Sequence, residues 1–134
     1  IVETPQVFGL EQLVVSFDSH ATPTAKVRLR TAQGIVEQQA EGNGSVDAIY
    51  KAIDALTGEA VELEDYKIKS VTDGTDALGE VLVLLNQGEL TAHGRGVSTD
   101  ILEASARAYI DALNRLLDKR NAPARNRRDN VTLI

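Results

Sequence analysis

The chain contains no cysteine, no methionine and no tryptophan, and only five aromatic residues: Phe8, Phe17, Tyr50, Tyr66 and Tyr109. Without cysteine there is no disulfide, no thiol nucleophile and no cysteine-ligated zinc, and a cytoplasmic location is expected. His20 and His93 are the only histidines, and neither His-x-His nor His-Glu-x-x-His occurs, so a histidine metal centre has no support. Basic residues are outnumbered 14 to 20, and the net charge of −6 argues against a nucleic-acid partner. No apolar run approaches the ~20 residues that span a bilayer, and no signal-peptide pattern opens the chain, so no membrane partner is expected. The missing methionine, position 1 included, leads us to expect a piece of a longer protein.

What remains suits one domain whose core is built from Val, Leu, Ile and Ala, with 43% hydrophobic residues over 134 positions. Residues 1–9 read as a linker from an upstream domain. Leu13, Val15 and Phe17 alternate with more polar neighbours, as in a largely buried strand. Ala25, Val27 and Leu29 alternate with Lys26, Arg28 and Arg30, Gln33-Gly34 reads as a hairpin turn, and Ile35 to Glu41 as the returning strand. Val46, Ile49, Ile53 and Leu56 then form one apolar helical stripe, with Gly58 placed to end the helix. The order repeats: Tyr66 to Val71, Leu78 to Leu85 and Glu89 to His93 as strands, and Ile101 to about Lys119 as a helix. Ser16 and Ser70, Val27 and Val81, and Gly34 and Gly88 are each 54 apart, whereas Gly42 and Gly94, and Gly44 and Gly96, are each 52 apart. The expected fold is α+β: two pseudo-symmetric three-strand-plus-helix units, 10–58 and 65–119, within a domain covering 10–119. Residues 120–134 have no helical period and are expected to be a loose tail.

The second expected helix carries two faces. Glu103, Arg107, Asp111 and Arg115 make an ion-paired solvent edge, and Ala104, Ala108 and Ala112 a stripe that permits close backbone approach. Two Gly-x-Gly segments, Gly42-Asn43-Gly44 and Gly94-Arg95-Gly96, read as duplicated helix starts. Helix-start amides point outward and can hold a small anion such as a carboxylate, although close loop packing explains the same glycines equally well. Ser98 and Asp100 offer caps, and Asp100 with Glu103 has capping-box spacing. Neither segment continues into a phosphate-binding loop, no serine sits in a nucleophile elbow, and Asp73, Asp76 and Glu80 read as a solvated turn rather than a cation site. No catalytic constellation is present. Binding is the remaining class of function.

The run Gly42-Asn43-Gly44-Ser45-Val46-Asp47-Ala48-Ile49-Tyr50-Lys51-Ala52-Ile53, then Leu63-Glu64-Asp65-Tyr66, Gly74-Thr75-Asp76-Ala77-Leu78-Gly79-Glu80-Val81 and Gly94 through Tyr109 resembles the C-terminal regulatory domain of 2-isopropylmalate synthases. The related citramalate synthase domain shares the Gly-x-Gly and Glu-Ala-Ser features, and the run Gly94 to Tyr109 resembles the leucine enzyme more closely. The resemblance implies two three-strand-plus-helix units pairing as a homodimer, with L-leucine as the effector of feedback inhibition at the first committed step of leucine synthesis. It implies an acyltransferase barrel elsewhere in the full chain, condensing acetyl-CoA with 3-methyl-2-oxobutanoate at a divalent metal. This stretch itself would have no catalytic residue, cofactor or metal. Carried over by motif, the effector pocket comprises Gly42, Asn43, Gly44, Val46 and Asp47, then Leu63, Tyr66, Ser70 and Ala77, with Val97, Ser98, Asp100 and Ile101 from the second unit. Asp47, Asp76 and Asp100 are the acceptors open to the effector's ammonium. Isoleucine as effector, as in citramalate synthase, and a dimerisation module without an effector are the alternatives.

Overall fold

The computed structural model describes residues 4–70 and 77–133, with the backbone alone from position 123 onward. Strands β1 (Gly9–Asp18), β2 (Ala21–Thr31) and β3 (Gly34–Glu41) form one antiparallel sheet in that order, followed by helix α1 (Ser45–Thr57). Strands β4 (Glu62–Ser70), β5 (Gly79–Gln87) and β6 (Leu90–Ser98) form a second, followed by α2 (Ile101–Leu133). The expected α+β duplication is therefore present. Each central strand buries one side of its alternation: Ala25, Val27 and Leu29 on β2 and Val81, Val83 and Leu85 on β5. Ile49 and Ile53 of α1 are fully buried, and the left-handed Gly58 ends that helix by donating to the Asp54 carbonyl at 2.9 Å.

α1 lies on β2 and β3, α2 on β5 and β6, and the helices touch each other. Their relative direction follows from two hydrogen bonds. The Tyr50 hydroxyl donates to the Ser105 carbonyl (2.9 Å) and the Tyr109 hydroxyl to Asp54 Oδ1 (2.6 Å). Moving four residues along α1 therefore moves four along α2 in the same sense. The helices run parallel, and both N-termini lie at one end of the domain.

Strand pairing corrects the register of the duplication. The pairs Thr24↔Glu41 and Ala25↔Ala40 in the first sheet correspond to Glu80↔Val97 and Val81↔Gly96 in the second, and the helices open at Ser45 and Ile101, so β2 through α1 maps onto its copy with a constant step of 56. On that step Gly42-Asn43-Gly44 matches Ser98-Thr99-Asp100. Gly94 and Gly96 match Gln38 and Ala40 and lie within β6, not at a helix start. Their role is packing. A Cβ on Gly94 would sit 2.5 Å from Ala112 N, and one on Gly96 2.6 Å from Ala108 N, so β6 and the alanine stripe of α2 meet backbone to backbone.

The second departure is at the C-terminus. Helical backbone continues through Pro123 to Leu133, beyond the stop expected near Lys119. Propensity is divided here, with Ala122, Ala124 and the arginines in favour and Pro123 and the asparagines against, and the continuation draws on extending a helix already nucleated upstream.

Candidate functional site

The two helix starts share one end of the domain but are finished differently. At α2, Asp100 Oδ1 accepts the amides of Leu102 (2.7 Å) and Glu103 (3.3 Å), so two of the first-turn donors are taken. The expected capping box does not close. Ser98 Oγ accepts the Asp100 amide at 3.1 Å and donates to Glu103, which also pairs with Arg107 at 3.2 Å. The Ser98 hydroxyl is the main cause holding the Glu103 carboxyl below its ordinary value, with Arg107 adding to it.

At α1 the cap position is Gly44, extended at φ −165° and ψ 172°, and it offers no side chain. The first amide with a helical acceptor is that of Ala48, to the Gly44 carbonyl at 3.0 Å. Among the described residues, the amides of Ser45, Val46 and Asp47 have neither an intrahelical nor a side-chain acceptor. The loop before them is drawn tight, since a Cβ on Gly42 would lie 2.7 Å from Ala48 Cα and the Gly42 amide donates to Pro23 O. Asp47 faces the same turn. Its carboxylate accepts the Asn43 amide at 2.8 Å and pairs with Lys51 at 3.0 Å, and these two contacts, Asn43 first, hold its pKa below the ordinary carboxylate value.

One helical turn further in, three tyrosines and a serine tie the units together. Ser105 is fully buried, and its hydroxyl donates to the Ile101 carbonyl at 2.7 Å. That uses its only proton, so the Tyr66 hydroxyl, 2.6 Å away, is the donor to Ser105 Oγ. Tyr50 stacks on Tyr109 with centroids 4.0 Å apart and meets Tyr66 edge-on at 6.5 Å. Tyr66 reaches across from β4, where the matching register position of the first sheet holds Leu13. Val46 lies one turn before Tyr50, and Ile101 one turn before Ser105, so both project toward the shared end.

The expected site residues thus fall into groups. Gly42, Asn43, Gly44, Val46 and Asp47 build the α1 start. Ser70, Ala77 and Ile101 line one shallow recess of about 290 Å³ with Thr99 and Gly79. Tyr66 supplies the floor between the helices, and Val97 and Ser98 end β6 beside Gly79 and Glu80. Two residues stand apart. Leu63 is 45% exposed and lies seven residues along β4 from Ser70, about 23 Å at strand rise. The carboxylate of Asp100 caps α2, and the residue also borders a groove between β1 and α2. Asp73 and Asp76 lie outside the described residues, while Glu80 is paired with Arg95. Tyr50, Ser105, Tyr109 and Asp54 were not anticipated. Their signal was present, since three of five aromatics sit at 50, 66 and 109 and Ser105 interrupts an apolar helix.

Asp54 provides a pH test of this junction. Burial raises its pKa and the Tyr109 hydrogen bond opposes that, with burial the larger effect. A raised folded-state pKa means that the contribution to stability is complete below the usual carboxylate value and is lost as pH rises through the folded one. Asp54→Asn keeps an acceptor for Tyr109 and removes the ionisation. Its melting temperature at pH 7 is expected to exceed that of the unsubstituted chain by about 3 °C, with the gain gone below about pH 4. Melting curves across this range, followed by circular dichroism, check it.

Among the described residues there is no group of three or more His, Cys, Asp or Glu side chains that could hold a metal ion, and no helix long and apolar enough to cross a membrane. Residues 1–117 match the family described as the LeuA allosteric (dimerisation) domain. The chain is 56% identical to the 2-isopropylmalate synthase of Brevibacillus brevis over 92% of its own length and 24% of that protein. Identity to the 2-isopropylmalate synthase of Carboxydothermus hydrogenoformans is 49% over 87% of this chain and 23% of that protein, and to that of Crocosphaera subtropica 47% over 87% and 22%. The chain therefore spans about a quarter of the length of these relatives.

Proposed function

The chain belongs to the LeuA allosteric (dimerisation) domain family, and from that premise we propose that it binds L-leucine at the shared end of its two helices and thereby mediates feedback inhibition of a 2-isopropylmalate synthase. The observation that carries this reading is the unfilled α1 start beside the filled α2 start. An amino-acid carboxylate fits the free amides of Ser45, Val46 and Asp47, where the positive end of the helix dipole adds to their attraction. The ammonium needs an acceptor nearby. Asp100 is occupied by capping α2, whereas Asp47 stands at the open turn and is held ionised by Asn43 and Lys51. Ala77 and Ile101 offer apolar surface in the shallow recess that Ser70 also lines, and Val46 faces the same end of the domain from α1.

The partner side of the proposal is a second copy of the chain. Phe17, Ile35 and Ile68 are 75%, 60% and 55% exposed on strands of both sheets, separate apolar side chains of the kind that homodimerisation covers. In this reading the condensation chemistry of such a synthase lies outside this domain. Leucine inhibits only if it binds one state of that enzyme better than the other, since equal affinity shifts nothing.

Side-by-side calorimetric titration with L-leucine and L-isoleucine tests the reading. Leucine is expected to bind at micromolar to low millimolar concentration and at least about tenfold more tightly than isoleucine, a difference of about 1.4 kcal/mol. Tighter isoleucine binding transfers the assignment to the citramalate synthase class. A folded dimer silent to both is a dimerisation module without an effector.

A further inference from the structure

Asn114 is 1% exposed, nine residues beyond Ser105 on α2, and is one of only three buried polar side chains among the described residues. Both ends of its amide are used on a single distant residue. Phe8 N donates to Asn114 Oδ1 at 2.9 Å, and Asn114 Nδ2 donates to Phe8 O at 3.0 Å. A side-chain amide here replaces a strand neighbour, pairing with the backbone of Phe8 just where the entering chain becomes β1. The next residue, Gly9, pairs in register with Arg30 of β2, whose guanidinium lies within the space a Cβ on Gly9 would need. The entry segment is thus clamped at one point between α2 and β2. Nine residues of helix carry this point about 13 Å from Ser105 and about half a turn round the axis. One face of α2 therefore touches the Tyr50–Tyr66–Ser105 junction, and the opposite face grips the entry segment.

We infer that Asn114 is a positioning residue that couples the effector end of α2 to the segment entering the domain, so that a shift of α2 on ligand binding is delivered to Phe8. This rests on the leucine reading above and adds the element that transmits it. The physical reason for a polar clamp is directional. A buried apolar contact tolerates sliding, whereas two antiparallel hydrogen bonds in a dry site hold one register and are costly to leave unmade.

The test uses the full-length protein carrying this domain and three readouts: leucine affinity by calorimetry, leucine inhibition of condensation, and hydrogen exchange of the peptide covering residues 4–10. In the unsubstituted protein, leucine is expected to change exchange in this peptide by about tenfold, within the usual range of allosteric coupling. Asn114→Ala is expected to leave leucine affinity within about twofold while abolishing both the exchange response and most of the inhibition. Leu117→Ala, a nearby cavity variant without a bond to the entry segment, keeps the response and thereby separates coupling from lost stability. Leucine binding with no exchange change at residues 4–10, or full inhibition in Asn114→Ala, overturns the inference and leaves the leucine site standing. No leucine binding at all removes both. If Asn114→Ala fails to fold, Asn114→Asp, which keeps the acceptor for Phe8 N–H and loses the donor, is expected to retain binding with weakened inhibition, and unweakened inhibition there also overturns the inference.

Discussion

Gly44→Asp is expected to abolish leucine binding in a protein at least as stable as the original. Position 44 is extended, in a region open to any residue, and a Cβ there meets nothing within 4 Å. Aspartate is among the best residues for the position before a helix, and relative to glycine it adds a few tenths of a kcal/mol. Its carboxylate would accept the amides of Val46 or Asp47, as Asp100 does for Leu102 and Glu103 on α2. The same group then fills the seat proposed for the effector carboxylate. Leucine affinity is expected to fall at least a hundredfold, about 2.7 kcal/mol, while the melting temperature holds or rises. Few substitutions on a binding surface separate the two so cleanly, because a damaged fold would lower both. Gly44→Ala is the control: it adds bulk without an acceptor and is expected to keep most of the affinity.

The second large effect concerns stability. Gly96→Ala places a methyl group against the Ala104 carbonyl and 2.6 Å from Ala108 N. These are main-chain atoms, so no rotamer change relieves the clash, and β6 and α2 must separate along their shared length. The expected loss is about 3 kcal/mol, at the upper end for overpacking, or about 10 °C in melting temperature. Gly94→Ala, against Ala108 O and Ala112 N, is expected to behave alike. Because the obstruction is backbone, adding Ala108→Gly to Gly96→Ala is expected to give no rescue and to lose about 1 kcal/mol more from helix propensity. Urea unfolding of the three variants settles the point, and recovery in the double variant would show that side chains, not main chain, set the β6–α2 distance.

These glycines also show where sequence reading succeeded and where it slipped. The inward residues of β6 are Ala92, Gly94, Gly96 and Ser98, all buried, while Thr91, His93 and Arg95 face outward. That is an ordinary strand alternation in which the inward side chains are small or missing. Read as a loop, Gly94 and Gly96 suggested a second anion seat. The alanine stripe on α2 was legible as a surface for close backbone approach, and the glycines are what approaches it. Both readings were available, but joining them required knowing that strand and helix face each other. The alternations of β2 and β5 and the stripe of α1 needed no such knowledge, because each element announces its own buried side.

At the candidate site the division is similar. Gly42-Asn43-Gly44 was visible as a helix start, yet its difference from the α2 start lies in hydrogen bonds that residue types alone do not reveal. Asp100 could have served a ligand or its own helix, and the geometry assigns it to the helix. Ser105 stands between Ala104 and Ala106 in the sequence, yet it takes hydrogen bonds from Tyr50 and Tyr66 across the junction of the two units. Contacts that bring residues 50, 66 and 105 together depend on the mutual placement of two units, and local periodicity carries no record of it.

The most direct test is an NMR titration of the ¹⁵N-labelled chain with L-leucine, following the amides of Ser45, Val46 and Asp47. Hydrogen bonding to a carboxylate is expected to move these three signals downfield together, saturating with the calorimetric affinity, while the Leu102 and Glu103 amides, already held by Asp100, shift far less. Saturable leucine binding with the three α1 amides unmoved, or with the response centred on Leu102 and Glu103, would contradict the carboxylate seat proposed at the first helix.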